Sequence, residues 1–232
     1  MTTTNATAVL IHGAGTGAWV WDRVTEKLSL PALPVEMPLG EEGATPQWCA
    51  DVVMKALSDH GGGAVIPVLH SWAGVLSGLL AERLGSRLSH VVYLSAVVPP
   101  ANGSFVDALP IPQRWILRHL CSTNAQGMRP SDAMIRREYC DDLNPVDANT
   151  VIERFTPQRA EPLLTTVPAP SVEIPSTYIT LSRDQSVPPS WQRRYLRRLT
   201  NPARAAVDAG HLAMLSRPDE VAAVIDGVVD DR

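Results

Sequence analysis

Four short, unbroken apolar runs constrain what this chain can fold into more than anything else in it. Residues 8–11, 64–69, 91–94 and 178–181 lack the in–out alternation of a strand with one wet face. Strands covered on both faces read this way, as in a parallel sheet held between two layers of helices. Amphipathic helical patterns fall between and after them, near 18–28, 47–58, 72–83, 190–199 and 218–228. That β-α-β-α order predicts an α/β fold with a mostly parallel, doubly wound sheet. Ligands are then expected outside the carboxyl ends of its strands. A length of 232 residues suits one such domain.

Residues 99–170 break the rhythm, with no clean strand, many prolines and short amphipathic pieces near 113–120 and 133–139. Phe105, Trp115, Ile116, Leu117 and Phe155 give the stretch too much apolar content for a disordered linker. It reads as a helical cap inserted within the single domain, over the mouth of a site. Trp115 and Phe155 are its candidates for substrate-binding positions, and a role in the core of the cap stands equally open for each.

Charge and cysteine usage narrow the function class. A net charge of −4 offers no basic patch for nucleic acid. No apolar run approaches the roughly 18 residues of a membrane span, and residues 1–7 lack the basic start of a signal peptide. Cys49, Cys121 and Cys140 are odd in number and irregular in spacing, which suits a reducing compartment better than a disulfide framework. The expectation is a cytoplasmic protein acting on a small-molecule substrate, with no nucleic-acid or membrane partner; a homodimer stays open.

Four segments carry candidate chemistry. The run 64–69 leads into His70-Ser71-Trp72-Ala73-Gly74 and a helix, and strand, sharp turn, serine, helix is the context of a nucleophile elbow. A serine ahead of a helix is more commonly only an N-cap. Ile11-His12-Gly13-Ala14-Gly15 follows the first strand, where a tight turn can aim a backbone N–H at a developing oxyanion. Gly13, Gly15 and Gly17 have the wrong spacing for a dinucleotide or phosphate loop and no lysine follows, so no nucleotide cofactor is expected. His12, His60, His70, His90 and His119 show no metal-ligand spacing, so no metal is expected either. His211 sits on a glycine-containing loop near the carboxyl end, and Asp184 lies just past the run 178–181. Serine, acid and histidine thus occur in the order 71, 184, 211, which suits a nucleophile, an orienting carboxylate and a base.

With these residues in view, the chain resembles the α/β-hydrolase fold family, and within it the group of plant methylesterases, hydroxynitrile lyases and their bacterial esterase relatives. His12-Gly13-Ala14 with Gly17-Ala18-Trp19-Val20-Trp21 is similar to that group's opening. So are Tyr139-Cys140-Asp141-Asp142-Leu143-Asn144-Pro145, Arg154-Phe155-Thr156-Pro157-Gln158, Asp184 to Pro188, and Gly210-His211 through Arg217-Pro218. The resemblance implies Ser71 as nucleophile, His211 as base and Asp184 as orienting acid. It also implies the backbone N–H groups of Ala14 and Trp72 as oxyanion hole. Asp208, three residues before His211, is the competing acid.

The function expected is hydrolysis of a small to medium carboxylic ester, lactone or thioester through an acyl-enzyme. Leu69 and Pro67 depart from the elbow pattern, one bulky where a small residue is usual and one lacking a strand N–H. They keep a non-hydrolytic enzyme on the same scaffold (cyclase, dehydratase or acyl transferase) as the alternative. A ligand-binding receptor without turnover is disfavoured by the intact serine, acid and histidine. Cyanide chemistry, as the resemblance implies it, needs a threonine and a lysine where Gly13 and Leu212 stand.

Overall fold

The computed structural model describes residues 6–124, 127–171 and 173–230, and the start of the chain up to Asn5 lies outside them. The chain opens with β1 (Ala6–Ile11), a 3₁₀ turn (Ala18–Trp21), α1 (Asp22–Thr25) and β2 (Ala32–Val35). It continues through α2 (Pro46–Ser58), β3 (Ala64–His70), a 3₁₀ turn (Ser71–Leu76) running into α3 (Ser77–Leu84), and β4 (Val91–Leu94). Between β4 and the next strand come α4 (Phe105–Ala108), α5 (Ile111–Thr123), α6 (Asp132–Tyr139), α7 (Pro145–Arg154) and α8 (Glu161–Leu164). The chain then returns to the sheet with β5 (Ser176–Leu181), α9 (Pro189–Leu196), β6 (Ala203–Val207), α10 (Ala213–Ser216) and α11 (Pro218–Asp230).

The strands lie in the order β2-β1-β3-β4-β5-β6, and every pairing between them is parallel. Alternate residues of the unbroken apolar runs go to opposite faces. Val9, Ile11, Val65 and Leu69 join a core with α2 and α3, whereas Ala8, Leu10, Ile66 and Val68 join one with α1 and α11. Burial on both faces is why these strands show no polar alternation. Helices α2 and α7 start where a side chain satisfies free N–H groups of the first turn and a proline needs none. Thr45 accepts from Trp48 N ahead of Pro46, and Asn144 accepts from Val146 N and Asp147 N ahead of Pro145.

Connections leave β1 toward β2 and β3 toward β4, in opposite directions across the sheet. A crevice therefore opens beyond the carboxyl ends of β1 and β3, the position where doubly wound sheets bind ligands. Pro67 is accommodated by the way these strands pair. Val65 O turns toward β4, accepting Ser89 N at 3.0 Å, so Pro67, two residues on, faces the same side. The β3–β4 register begins only at Val68, so the missing N–H falls just before that ladder starts. No helix among the described residues is long and apolar enough to cross a membrane.

Candidate active site

Ser71 sits where β3 gives way to its 3₁₀ turn, with φ of 53°. That left-handed conformation is costly for a residue with a Cβ, and it is the sharp turn that lifts a side chain clear of the sheet. The elbow forms with Leu69 fully buried two residues earlier, opposite Ile11 and Tyr93 on the neighbouring strands. Leu69 points into the core and away from the turn, so its bulk does not obstruct the geometry.

The loop after β1 closes on this serine. A Cβ on Gly13 would stand 2.8 Å from Ser71 Cβ and 3.3 Å from its Oγ, so only glycine permits the approach. His12 fixes the loop: Met37 N donates to its Nε2 at 2.9 Å, and its Nδ1–H donates to Gly13 O at 2.8 Å. Ala14 follows directly and takes up no backbone carbonyl among the described residues. Trp72 lies in the opening turn of a 3₁₀ segment, where backbone N–H groups have no acceptor from the preceding turn. Its indole Nε1–H donates to Pro162 O at 3.1 Å, tying the elbow to α8 of the cap.

The acid and the base meet beyond β5 and β6. His211 Nδ1–H donates to Asp184 Oδ2 at 2.8 Å, with both side chains buried. Ser95 Oγ–H donates to the same oxygen at 2.6 Å, and Val187 N donates to Oδ1 at 2.7 Å. This leaves the His211 Nε2 lone pair buried and without a partner among the described residues. A bond from Ser71 to that nitrogen is not formed in this structure, and such contacts often tighten only once substrate is bound. Asp208 stands apart, its side chain 78% exposed, accepting from Ser182 Oγ and lying 3.3 Å from Arg183 Nε.

His70 joins the two halves of the site. Its ring lies 4.7 Å from that of His211, centroid to centroid, and its Nε2–H donates to His211 O at 3.0 Å. Burial, reinforced by the neighbouring His211, pushes its pKa well below the ordinary imidazole range, so it is neutral. On the cap side the Tyr139 ring stands edge-on to His211 at 5.1 Å and to Phe155 at 5.1 Å. Burial raises the Tyr139 hydroxyl to about 12, which keeps it protonated.

Next to Ala14 and Tyr139 the segment between β4 and β5 forms a mainly apolar, partly open cavity of about 500 Å³, lined among others by Phe105, Leu117, Met128 and Phe155; Ser71 and His211 are not part of its wall. The structure thus brings Phe155 to the cavity beside Ala14. Trp115 is a correction: it is 69% exposed on α5 and does not line the cavity. At 100° per residue it lies about 160° around the helix from Leu117, so the run Trp115-Ile116-Leu117 cannot face inward together. Ser95, Tyr139 and His70 were not singled out as site residues from sequence. The only advance signals were His70's place beside Ser71 and Tyr139's in a family-like segment.

Three comparisons bear on this arrangement. The alpha/beta hydrolase family model matches residues 8–224. Methylesterase 7 of Arabidopsis thaliana is 23% identical over 260 residues, covering 96% of this chain and 95% of that protein. Among solved structures, an extracellular alpha/beta-hydrolase from a Paenibacillus species, described as sharing structural and functional homology with tobacco salicylic acid binding protein 2, superposes with a TM-score of 0.86. It is 18% identical, and the match covers 96% of this chain and 98% of that one. A methylesterase from Arabidopsis superposes with a TM-score of 0.79 at 19% identity, covering 98% of this chain and all of the other. At such identities the structural likeness carries the fold, and the family model, spanning nearly the whole chain, carries the membership: this chain belongs to the alpha/beta hydrolase family.

Proposed function

We propose that the protein is a serine hydrolase that cleaves a small to medium carboxylic ester through an acyl-enzyme. The observation that carries this reading is the buried Asp184–His211 pair at 2.8 Å, linked through His70 to the following residue, a serine held at φ 53°. Ser71 Oγ attacks the ester carbonyl carbon while His211 Nε2 takes its proton. The N–H groups of Ala14 and Trp72 receive the oxyanion of the tetrahedral intermediate. His211 returns the proton to the departing alkoxide, and a water then repeats the sequence to release the acid and restore Ser71. Asp184 holds the His211 tautomer and stabilises its charged form. The apolar cavity beside Ala14 favours an uncharged, largely hydrophobic substrate. A relative named as a methylesterase supports ester cleavage. All three cysteines are free and buried, and we place the protein in the cytoplasm on that ground.

The test is a panel of methyl, aryl and lactone substrates together with a small fluorophosphonate. Wild-type protein is expected to turn over at least one ester and to take one label per chain. Ser71→Ala is expected to lose the label and on the order of 10⁴ to 10⁶ in kcat while remaining folded. Wild-type turnover by Ser71→Ala on the preferred substrate overturns the reading.

A further inference from the structure

The cap reaches past the cavity and touches the loop that carries the base. Asp141 and Asp142, which follow α6, lie against Gly210. Asp142 Oδ2 accepts the backbone N–H of Gly210 at 2.8 Å, and the Asp142 side chain is only 2% exposed. A Cβ on Gly210 would stand 2.3 Å from Asp141 Oδ1 and 2.6 Å from Asp142 Oδ1. Two cap carboxylates are thus closed over a stretch of backbone that has room for no side chain.

A buried carboxylate is costly unless it is paired and hydrogen-bonded. Here the compensation is thin. Asp142 Oδ1 has no hydrogen-bond partner among the described residues, and Arg183 Nη2 is 3.8 Å from Oδ2, beyond hydrogen-bond range. Burial and the neighbouring Asp142 also raise the pKa of Asp141. Closing a cap over a core does not require such groups, because apolar side chains would do it at lower cost. What the carboxylate alone supplies is an acceptor at the Gly210 N–H. The rest of the base loop is held at His211 O by His70, at His211 Nδ1 by Asp184, and at Ala209 O by Arg183 N. Without Asp142 the Ala209–Gly210 peptide would be held at its carbonyl alone, by Arg183 N, and could tilt about that one bond, shifting the His211 backbone and the imidazole it carries.

We infer that Asp142 is a positioning residue for His211. By fixing the Gly210 N–H from the cap, it holds the imidazole where Nε2 can serve Ser71, so the catalytic centre is complete only when the cap is in place. This rests on the hydrolase reading above, in which His211 is the base.

The test compares wild-type protein with Asp142→Ala and Asp142→Asn, using a small fluorophosphonate that makes little use of the cavity. In the labelling step Ser71 Oγ bonds to phosphorus, the P–F bond breaks, fluoride leaves and His211 takes the hydroxyl proton. Rate and final stoichiometry are read separately, because stoichiometry counts intact sites and rate reports their alignment. Asp142→Ala is expected to label every chain but about 10- to 100-fold more slowly, with kcat on an ester falling in step and KM within about threefold of wild type. Asp142→Asn keeps an acceptor oxygen for Gly210 N and is expected within about threefold of wild type. Labelling of Asp142→Ala at the wild-type rate overturns the inference. So does partial labelling at the wild-type rate, which would mean that Asp142 only keeps the protein folded. Equal slowing by Asn and Ala also overturns it, because charge and not the Gly210 contact would then be acting. Should Asp142→Ala not fold, Gly210→Ala disturbs the same contact from the other side and must give slow but complete labelling; a wild-type rate there overturns the inference equally. Wild-type protein that takes no label overturns the hydrolase reading and this one with it, whereas a labelled wild type with an unaffected Asp142→Ala overturns this one alone.

Discussion

One oxygen of Asp184 serves two donors, the His211 Nδ1–H and the Ser95 hydroxyl, while the other takes Val187 N. Three donors directed at one carboxylate fix it as an acceptor on both sides. Val187 N–H can only donate and claims the oxygen of an amide in its place, which turns the NH₂ to His211 and Ser95, so Asp184→Asn would turn the imidazole to the wrong tautomer. The expected loss is up to about 10⁴ in kcat with the fold retained. Asp208→Asn, at a side chain 78% exposed, is expected to change kcat less than about threefold. Steady-state kinetics of the two variants on one ester decide the matter, and the reverse ranking would reassign the acid. Ser71, Asp184 and His211 could be nominated from sequence because each follows a strand-like run or a glycine turn, in the chain order of serine, acid and histidine. Ser95 was not, because a serine after a strand is common and only its φ of 42° and its reach to Asp184 mark it out.

At the scale of elements, the strands buried on both faces could be read and the edges could not. β2 and β6 flank the sheet, and β6, with the sequence Ala-Arg-Ala-Ala-Val, leaves Ala203, Arg204 and Ala206 exposed. A half-wet edge strand carries no unbroken apolar signature. The cap was legible as an insertion rich in short amphipathic pieces, but not which of its faces turn inward, because consecutive apolar residues on α5 divide between both sides. How the cap meets the core is set by loops, and Gly15 shows the tolerance. Thr156 N donates to Gly15 O at 2.9 Å, and a Cβ on Gly15 would stand 2.0 Å from Phe155 Cζ. Gly15 also has φ of 82°, a conformation that strains any other residue. Gly15→Ala is therefore expected to cost about 1–3 kcal/mol of stability. It should also raise KM more than it lowers the phosphonate labelling rate, because it displaces the Phe155 wall before it disturbs Ser71. Urea unfolding and a KM series check this, and an unchanged KM would show that Phe155 does not wall the substrate site.

For the whole molecule, the strand that carries the serine ends on His70, a buried side chain whose ring lies between those of Trp21, at 6.4 Å, and His211, at 4.7 Å. Its Nε2–H serves His211 O, while its Nδ1 is buried without a partner among the described residues. Burial opposes a second proton on it, reinforced by His211 and His12, and among the described residues no acid is found acting on it. The folded pKa is therefore depressed while the unfolded chain keeps an ordinary imidazole value of about 6.5. Above that pH neither state binds the proton and His70 contributes no pH dependence. As pH falls below it, the unfolded chain takes up a proton that the folded protein refuses, so stability drops by at most about 1.4 kcal/mol per pH unit until the folded group also titrates. His70→Gln removes the titration, and its side-chain amide is still able to donate to His211 O. Urea midpoints measured at pH 7, 6 and 5 are expected to fall more steeply for wild type than for His70→Gln, by close to one proton's worth of slope. Carboxylates such as Asp141 titrate in both proteins and cancel in the difference. Parallel pH slopes would mean that His70 accepts a proton without unfolding the site, and that its surroundings are open enough to solvate an imidazolium.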